Sequence, residues 1–542
     1  MTENNIQENA ADGLYRWSAL FVVVIGTFMV MLDSSIVNIA IPKMMNVFGS
    51  DLDAVKWILT AYTLTMGSVV PITGFLSDTF GVKKQFVLSL TLFTLGSFLC
   101  GFAWSTNTMI FFRIIQAIGG GAIMPVGMAY IMQMFPVRER GKALGFWGIA
   151  AMSAPAIGPT MGGYIIQYMD WRLIFYINVP IGIFGVIFAS ILLRETALKP
   201  YKGNFDYVGF FSSIFAIGSL LYVLGEGAGI DWGDVKFPLL LVFGCFNLFI
   251  FVVNELLHPE PLIELRVFKI PDFTLSQFIT GATTLALMGG LYALPLFLQN
   301  LRGYTAMETG LLLFPSAVAA GLMMPISGAL FDKYGAKIVT IPGLLILAVS
   351  SYQMSRFNMD TPTATITLIA TIRGLGLGLA MMPVNTAAMN AIPRELFAKA
   401  TALSTTVRSI IQALAVTLMT TIITNAVSNN YARLSEQITP FNYTSRNFLQ
   451  ILQAVFLKNG ATSSSAAGSA LASLGKMLYA QAYIDAINLA VAITVPAVFV
   501  AAFLVLLMSG KQEHHEIEPK DTVVSGKERL NEQETGIAGF VE

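Results

Sequence analysis

The chain has 542 residues, of which 55% are hydrophobic and only 12% are charged; that charged fraction is about half of what soluble domains carry. Lys and Arg together number 32, as do Asp and Glu, so no net charge attracts nucleic acid or a charged surface. So few charges do not coat the several soluble domains that this length would otherwise suggest. Most of the protein surface is therefore expected to face lipid.

The apolar residues fall into fourteen runs of about 20 residues, the length that a helix needs to cross roughly 30 Å of hydrocarbon. The alternating pattern of membrane β-strands is missing, so the sequence predicts an all-α integral membrane protein. The first run is too long for a signal peptide, and acidic residues precede it. The predicted spans cover 17–41, 54–77, 85–104, 108–133, 143–167, 172–193, 206–228, 237–257, 273–299, 308–331, 338–356, 362–391, 399–427 and 480–509.

Basic residues lie mainly in the loops on the same side as the N-terminus. Loops rich in Lys and Arg stay in the cytoplasm, so both termini are predicted to be cytoplasmic. Two segments fall outside the spans: a Ser-, Ala- and Asn-rich outer loop over 428–479, and a tail over 511–542. Cys100 and Cys245 fall inside spans and are expected to be buried small hydrophobic residues.

One short pattern occurs twice in the chain. Residues 74–83, Gly-Phe-Leu-Ser-Asp-Thr-Phe-Gly-Val-Lys, return at 328–337 as Gly-Ala-Leu-Phe-Asp-Lys-Tyr-Gly-Ala-Lys. Spans 1–6 and 9–14 are therefore predicted to be two related six-helix bundles, as in transporters that bind substrate near mid-membrane between two repeats. The predicted domains are an N-terminal bundle over 1–199, inserted spans 7 and 8 over 200–260, a C-terminal bundle over 261–510 that includes the outer loop, and a cytoplasmic tail over 511–542.

Five motifs resemble those of the major facilitator superfamily, and within it the fourteen-span drug:proton antiporters, the EmrB/QacA-type multidrug exporters. The resemblance covers residues 15–510. The motifs are Leu32-Asp-Ser-Ser-Ile-Val-Asn-Ile-Ala-Ile-Pro42 in span 1, the loop Gly74–Lys84, Arg113-Ile-Ile-Gln116 with Gly119–Gly121 in span 4, Gly158-Pro-Thr-Met-Gly-Gly163 in span 5, and Asp170-Trp-Arg-Leu-Ile-Phe-Tyr-Ile-Asn-Val-Pro-Ile-Gly182.

The resemblance implies a fold of two six-helix bundles plus two inserted helices. It also implies a multi-pass antiporter in the cell membrane of a bacterium, acting as a monomer and not as an enzyme. Such a protein exports amphiphilic drug-like compounds by alternating access. The proton gradient drives it, without a cofactor or metal, and the expected partners are protons, the substrate and lipid. Any accessory protein is unidentified.

Asp33 lies about nine residues, roughly 13 Å at 1.5 Å per residue, from the outer end of span 1. A carboxylate there costs about 2.5–3.5 kcal/mol on insertion scales, which makes it a functional candidate. Arg113 lies at a similar depth in span 4, where a cation favours the ionised acid. Both are predicted to couple protons, with Asp485 in span 14 as a reserve. The alternatives are a structural acid satisfied by neighbouring groups, and an arginine that locks helices through backbone carbonyls and Gln116.

The repeated loop combines small residues, one acid and a basic pair. Gly74 permits close helix approach, and Gly81 suits a turn with positive φ. Asp78 is expected to cap the following helix or to pair with Arg138 or Arg140. The resemblance implies that the loop is a latch between the halves; the alternative is an ordinary positively charged inner turn. The predicted latch residues are Gly74, Asp78, Gly81, Lys83, Lys84, Arg138, Arg140 and Asp332.

Span 5 is rich in glycine and proline. Proline removes a backbone hydrogen bond and kinks a helix, whereas glycine provides a flat face for close packing. The resemblance implies that this pattern marks antiporters, and the alternative is ordinary glycine-mediated packing. The residues of this predicted antiporter helix are Pro155, Gly158, Pro159, Gly162 and Gly163.

The substrate pocket is outlined only by composition. With 39 Phe, 26 Met and 17 Tyr, the chain has ample aromatic and flexible apolar surface for a permissive site. A dedicated exporter of an endogenous metabolite, peptide or lipid is the alternative. A membrane enzyme or an ATP-driven pump is disfavoured, because the sequence has neither a catalytic cluster nor a phosphate-binding loop. The candidate lining residues are Asn38, Met66, Gln116, Tyr292, Gln299 and Asn385.

Overall fold

The computed structural model describes residues 3–195, 205–226, 230, 233–259, 261–439 and 441–508. Throughout these residues the regular structure is helical, which confirms the predicted all-α class. The predicted tail over 511–542 lies outside the described residues, as do residues 196–204 at the predicted boundary between the first bundle and the inserted spans.

Eight helices precede the inserted pair, and we refer to them as the N-terminal bundle. The second and third together correspond to predicted span 2 and meet at 55°. Pro71 lies at this break, where its missing N–H interrupts the helical hydrogen bonds. The helices are Glu3–Phe48 (α1), Leu52–Val69 (α2), Ile72–Phe80 (α3), Val82–Gly101 (α4), Thr106–Met134 (α5), Arg140–Tyr168 (α6), Leu173–Tyr176 (α7) and Asn178–Leu192 (α8).

The inserted pair and the C-terminal bundle follow. The first helix of the C-terminal bundle ends in a π-helical turn, Phe297–Leu301. The inserted helices are Tyr207–Glu226 (α9) and Lys236–Leu257 (α10). The C-terminal bundle consists of Pro271–Leu296 (α11), Ala306–Tyr334 (α12), Ala336–Met354 (α13), Thr363–Asn390 (α14), Phe397–Glu436 (α15), Tyr443–Lys458 (α16) and Ser463–Leu507 (α17).

Within the described residues, twelve helices are long and apolar enough to cross a membrane, or thirteen when the bent α2–α3 pair counts as one span. Helix α6 is not among them, so the count of fourteen stays a prediction. The loop expected over 428–479 is instead largely helical, since α15 continues to Glu436 and α17 begins at Ser463. With 40 and 45 residues, these two helices are about 60 and 68 Å long, roughly twice the hydrocarbon thickness.

The two bundles pack against each other along α6 and α12. Gly141 and Gly328 lie at one end of this contact, where a Cβ atom on Gly328 would fall 1.9 Å from the carbonyl oxygen of Gly141. We call this the motif end, because both copies of the repeated loop lie there. At the other end, the far end, a Cβ on Gly163 would lie 3.8 Å from the Cβ of Met307. The contact therefore extends along the whole of α6.

The two cysteines differ in burial. Cys100 in α4 is buried, as expected, whereas Cys245 in α10 is exposed, so the expectation was wrong for Cys245. The reason is its position on an outward face of α10, where Val242, Phe246 and Phe249 are exposed as well. An exposed apolar face of this kind suits contact with lipid.

Candidate functional site

A buried polar cluster lies inside the N-terminal bundle, around Asp33 of α1. The side chain of Asp33 is fully buried, and three donors from two other helices surround its carboxylate. Arg113 Nη1 lies 2.6 Å from Oδ2. Gln116 Nε2 and Asn178 Nδ2 each donate to Oδ1 at 2.9 Å. The carboxylate thus connects α1 to α5 and α8.

A second layer surrounds these groups. Gln116 Oε1 accepts from Arg113 Nη1 at 2.7 Å, and Gln116 Nε2 also donates to Ser97 Oγ at 2.6 Å. The Cys100 thiol lies 3.7 Å from Gln116 Oε1. The aromatic ring of Tyr62 covers the Arg113 guanidinium, with Cζ 3.8 Å from the ring centroid. A ring at this distance stabilises a cation that has been removed from water.

Local structure explains why these side chains meet. Arg113 and Gln116 are three residues apart on α5, so they share one face of the helix. Helix α4 approaches this face closely because residue 96 is glycine: a Cβ there would lie 2.4 Å from the Cα of Gln116. Asp33 and Arg113 were predicted to lie at similar depths, and the structure brings their charged groups into direct contact.

Several members of the cluster were not predicted as site residues. Asn178 belongs to the motif over 170–182, and a buried amide after an aromatic run is the signal that points to it. Tyr62 and Ser97 carry no comparable signal, because apolar runs contain many such residues. Gln116 was expected to line a substrate pocket; the structure places it, fully buried, in hydrogen bonds to Asp33 and Ser97.

Helix α6 lies directly beside this cluster. A Cβ on Gly158 would fall 1.9 Å from Ser35 Oγ, and one on Gly162 would fall 2.7 Å from Ile36 Cγ1. These contacts are on the segment of α1 that follows Asp33. On another face of the same helix, a Cβ on Gly145 would lie 2.5 Å from the carbonyl oxygen of Met324 in α12. The glycines of α6 therefore allow this helix to contact α1 and the opposite bundle at once. The helix is continuous through residues 155 and 159, both of which are proline.

At the motif end, Asp332 of α12 joins the two bundles. Its carboxylate oxygens accept from the backbone N–H groups of Gly141 and Lys142, each at 3.1 Å, at the start of α6. A carboxylate at a helix N-terminus is favoured both by these free donors and by the helix dipole. Arg140 donates to Asn390 Oδ1 at 3.0 Å, a second hydrogen bond between the bundles.

The first copy of the loop contacts the other bundle too. A Cβ on Gly74 would fall 3.0 Å from the Cα of Lys399 at the start of α15. Gly81 has a φ of +93°, which favours glycine. Glu195 accepts from the backbone N–H of Lys83 at 3.1 Å and of Lys84 at 3.3 Å. Thus Glu195 caps α4, a contact that the sequence did not indicate. Asp78 is half-buried in α3, and Arg138 is exposed.

The remaining candidates are dispersed. Asp485 of α17 accepts from Gln481 at 2.9 Å, in the bundle opposite Asp33. Met66 lies against Gly121: a Cβ atom on Gly121 would be 2.9 Å from the backbone carbonyl oxygen of Met66. The other four proposed lining residues differ in exposure: Asn38 is exposed and donates to the backbone carbonyl of Ser34, Tyr292 is half-buried, Gln299 is exposed in the π-helical turn, and Asn385 is buried in α14.

Comparisons with known proteins agree on one family. The model of the Major Facilitator Superfamily matches residues 23–416. The uncharacterized MFS-type transporter YhcA of Bacillus subtilis is 41% identical over 72% of this chain and 74% of its own length. The lincomycin resistance protein LmrB of Bacillus subtilis is 30% identical over 75% of this chain and 85% of its own. The multidrug export protein EmrB of Escherichia coli is 29% identical over 80% and 86%, respectively.

Two solved structures share the fold at low sequence identity. The human organic anion transporter MFSD10 superposes with a TM-score of 0.58 at 11% identity, covering 90% of this chain and 99% of its own. The proton:xylose symporter XylE superposes with a TM-score of 0.57 at 14% identity, covering 92% and 96%. At these identities the likeness concerns the arrangement of the helices alone.

Proposed function

The chain belongs to the Major Facilitator Superfamily and is a multi-pass membrane transporter rather than an enzyme; from that premise we propose that it exports amphiphilic drug-like compounds in exchange for protons. The lincomycin resistance and multidrug export proteins among its relatives support this substrate class. In the proposed orientation both termini face the cytoplasm of a bacterium and protons enter as substrate leaves.

The observation that carries the proposal is the buried ion pair of Asp33 and Arg113. Both side chains are fully buried, so their charges are compensated by each other and by the amides around them. A proton that binds Asp33 cancels one charge and leaves the guanidinium uncompensated. Removing one partner of a buried pair costs about 3–5 kcal/mol, enough to drive a rearrangement. Protonation of Asp33 is therefore the proposed trigger of the conformational change.

Helix α6 is the proposed path from that trigger to the bundle interface. Loosening the hydrogen bonds that hold Asp33 frees α1 to shift against α5 and α8. Ser35, two residues further on, faces the glycine surface of α6 at Gly158. Because α6 is held at its start by Asp332 of the other bundle, a shift of α6 strains that contact directly. Proton binding and separation of the motif ends are in this way coupled.

The test is transport in proteoliposomes under an imposed pH gradient. With the wild-type protein, the gradient is expected to drive the movement of a lipophilic cationic or neutral drug. Asp33→Asn keeps the size of the side chain and removes the titratable charge, so gradient-driven transport is expected to be lost while drug binding remains. Unchanged transport and pH dependence in Asp33→Asn would remove Asp33 from the proposal.

Asp485→Asn is the matched control, since it makes the same change in the other bundle. It is expected to transport normally; loss of coupling in this variant alone would transfer the role to Asp485. A competition screen with drugs and dyes addresses the substrate class. If none of these compounds competes for binding, the exporter of a dedicated endogenous solute replaces the multidrug exporter.

A further inference from the structure

Helix α9, the first of the inserted pair, contacts both bundles. On one side it packs against α2 of the N-terminal bundle, and on the other it contacts α15 of the C-terminal bundle. At the motif end the corresponding helices meet directly, because Gly74 of α3 lies against Lys399 of α15. Beyond the 55° bend between α3 and α2, towards the far end, α9 connects the two sides.

The contact of α9 with α2 is close and extends over several turns. A Cβ on Gly67 would lie 2.7 Å from Leu221 Cδ1, so the leucine fills the space that the glycine leaves. Nearer the far end, the rings of Trp57 and Tyr222 stack, with centroids 5.6 Å apart and planes 20° apart. The ammonium group of Lys236 in α10 donates to the Tyr222 hydroxyl at 2.8 Å. Apolar packing and stacking thus fix α9 to α2, and the polar contact joins α9 to α10.

The contact with α15 is of another kind. The hydroxyl of Thr417 donates to the backbone carbonyl of Leu224, near the end of α9. The same hydroxyl also donates to the carbonyl of Ala413 in its own helix, at 3.0 Å. If α15 moves away, Thr417 keeps its intrahelical partner and only the carbonyl of Leu224 loses a donor. Separation on this side therefore leaves the Thr417 hydroxyl satisfied, whereas separation from α2 uncovers packed aromatic and aliphatic groups.

We propose that α9 moves as part of the N-terminal bundle and acts as a wedge that must leave α15 before the bundles close at the far end. A helix with its side chains is about 10 Å across, so α2 and α15 do not approach while α9 remains between them. The separation from α15, rather than from α2, is the step that permits closure. This role of the inserted pair is independent of the identity of the substrate and of the coupling ion.

Two engineered cross-links test this in full-length protein that carries Cys245→Ser, which removes the exposed native thiol. The first, Leu224→Cys with Thr417→Cys, fixes α9 to α15. The second, Ser68→Cys with Gly218→Cys, fixes α9 to α2; here a Cβ on Gly218 would lie 3.9 Å from Ser68 Oγ, so the two introduced cysteines are neighbours. Mass spectrometry under oxidising and reducing conditions verifies each disulfide.

The readout is the distance between spin labels at two exposed far-end positions, Asn107→Cys and Asp360→Cys, measured by double electron–electron resonance after oxidation of the cross-link. Without a cross-link, a long and a short distance are expected. The α9–α15 cross-link is expected to remove the short distance, and labelled protein without the two cross-link cysteines is expected to retain it. The α9–α2 cross-link is expected to leave both distances.

Two results would overturn the proposal: a short distance that persists with α9 fixed to α15, or its loss when α9 is fixed to α2. Because the readout involves neither drug nor proton gradient, it is separate from the test of Asp33. If Asp33→Asn loses coupling but the short distance persists with α9 fixed to α15, only the wedge proposal fails. If Asp33→Asn keeps coupling but that cross-link removes the short distance, only the proposed role of Asp33 fails.

Discussion

The charged groups of Asp33 and Arg113 lie 2.6 Å apart although the residues are 80 positions apart in the chain, and both side chains have no exposed surface. Neither charge is hydrated, so the energy of each depends on the other. This relationship makes separable predictions about stability and about coupling.

Removing either charge alone is expected to destabilise the protein more than removing both. Arg113→Met leaves Asp33 buried without its cation, and the loss is about 3–5 kcal/mol. Adding Asp33→Asn is expected to recover at least half of that loss, because no uncompensated charge remains. Thermal unfolding of the four purified proteins in one detergent measures the cycle. Losses that simply add would show that the two groups do not stabilise each other.

Asn178→Ala is expected to destabilise the protein and to weaken gradient-driven transport. Asn178 donates to the carboxylate of Asp33, and a hydrogen bond to a charged group contributes about 1.5–3 kcal/mol. Without it Asp33 Oδ1 loses one of its two donors, so the free energy of unfolding is expected to fall by a similar amount. Thermal unfolding in detergent and transport in proteoliposomes measure the two effects. Asn385→Ala in the other bundle is the control and is expected to keep gradient-driven transport, whereas wild-type stability and transport in Asn178→Ala would contradict the role of this hydrogen bond.

Tyr62→Phe is expected to be nearly silent, whereas Tyr62→Leu is expected to impair stability and coupling. The ring lies over the Arg113 guanidinium, but the Tyr62 hydroxyl has no hydrogen-bond partner among the described residues. A cation–π contact in a desolvated site is worth about 2 kcal/mol, and phenylalanine keeps it. Unfolding temperature and gradient-driven transport are measured for both variants. A strong defect in Tyr62→Phe would indicate a role for the hydroxyl instead.

Asp332→Ala is expected to favour conformations that are open at the motif end. The substitution removes two hydrogen bonds from Asp332 to the start of α6, a loss of about 1–2 kcal/mol. Spin labels placed across the motif end are expected to show that the ratio of the open to the closed population rises about five- to thirtyfold.

Glu308→Ala is the matched control for that variant. Glu308 caps α12 through Thr305 of the same bundle, at the far end. Its loss is expected to weaken a helix end without shifting the equilibrium between conformations. Equal shifts in Asp332→Ala and Glu308→Ala would show that the effect is one of general stability.

Gly328→Ala is expected to separate the bundles at the motif end, because its Cβ would meet the backbone oxygen of Gly141 at 1.9 Å. Backbone cannot move aside as a flexible side chain can, so α12 must withdraw from α6. Gly163→Ala, on the same interface, has 3.8 Å to Met307 and is expected to be tolerated. Cysteine accessibility at the motif end distinguishes the two, and closed motif ends in Gly328→Ala would contradict the inferred packing.

The sequence alone supports the all-α class and the family, because spans of apolar residues and the repeated loop are local patterns. It also pointed to Asp33 and Arg113, since a charge in an apolar run is costly wherever its partner lies. The prediction of a loop over 428–479 was wrong. A polar composition indicates that a segment lies outside lipid, but it does not indicate that the segment is not helical. Helices α15 and α17 continue well past their apolar parts.

Other features depend on distances between helices that no single run of sequence contains. Asn178 and Tyr62 join Asp33 and Arg113 only after α8 packs beside α1 and α2 packs beside α5. Glu195 caps α4 because the chain that follows α8 brings its carboxylate to the free N–H groups of Lys83 and Lys84. The sequence thus determined which residues are costly to bury, because the free-energy cost of burying a charge depends on the residue type and not on its neighbours in the fold. Tertiary structure alone decided which groups compensate them, and where α9 lies between the bundles, since both depend on packing between distant helices.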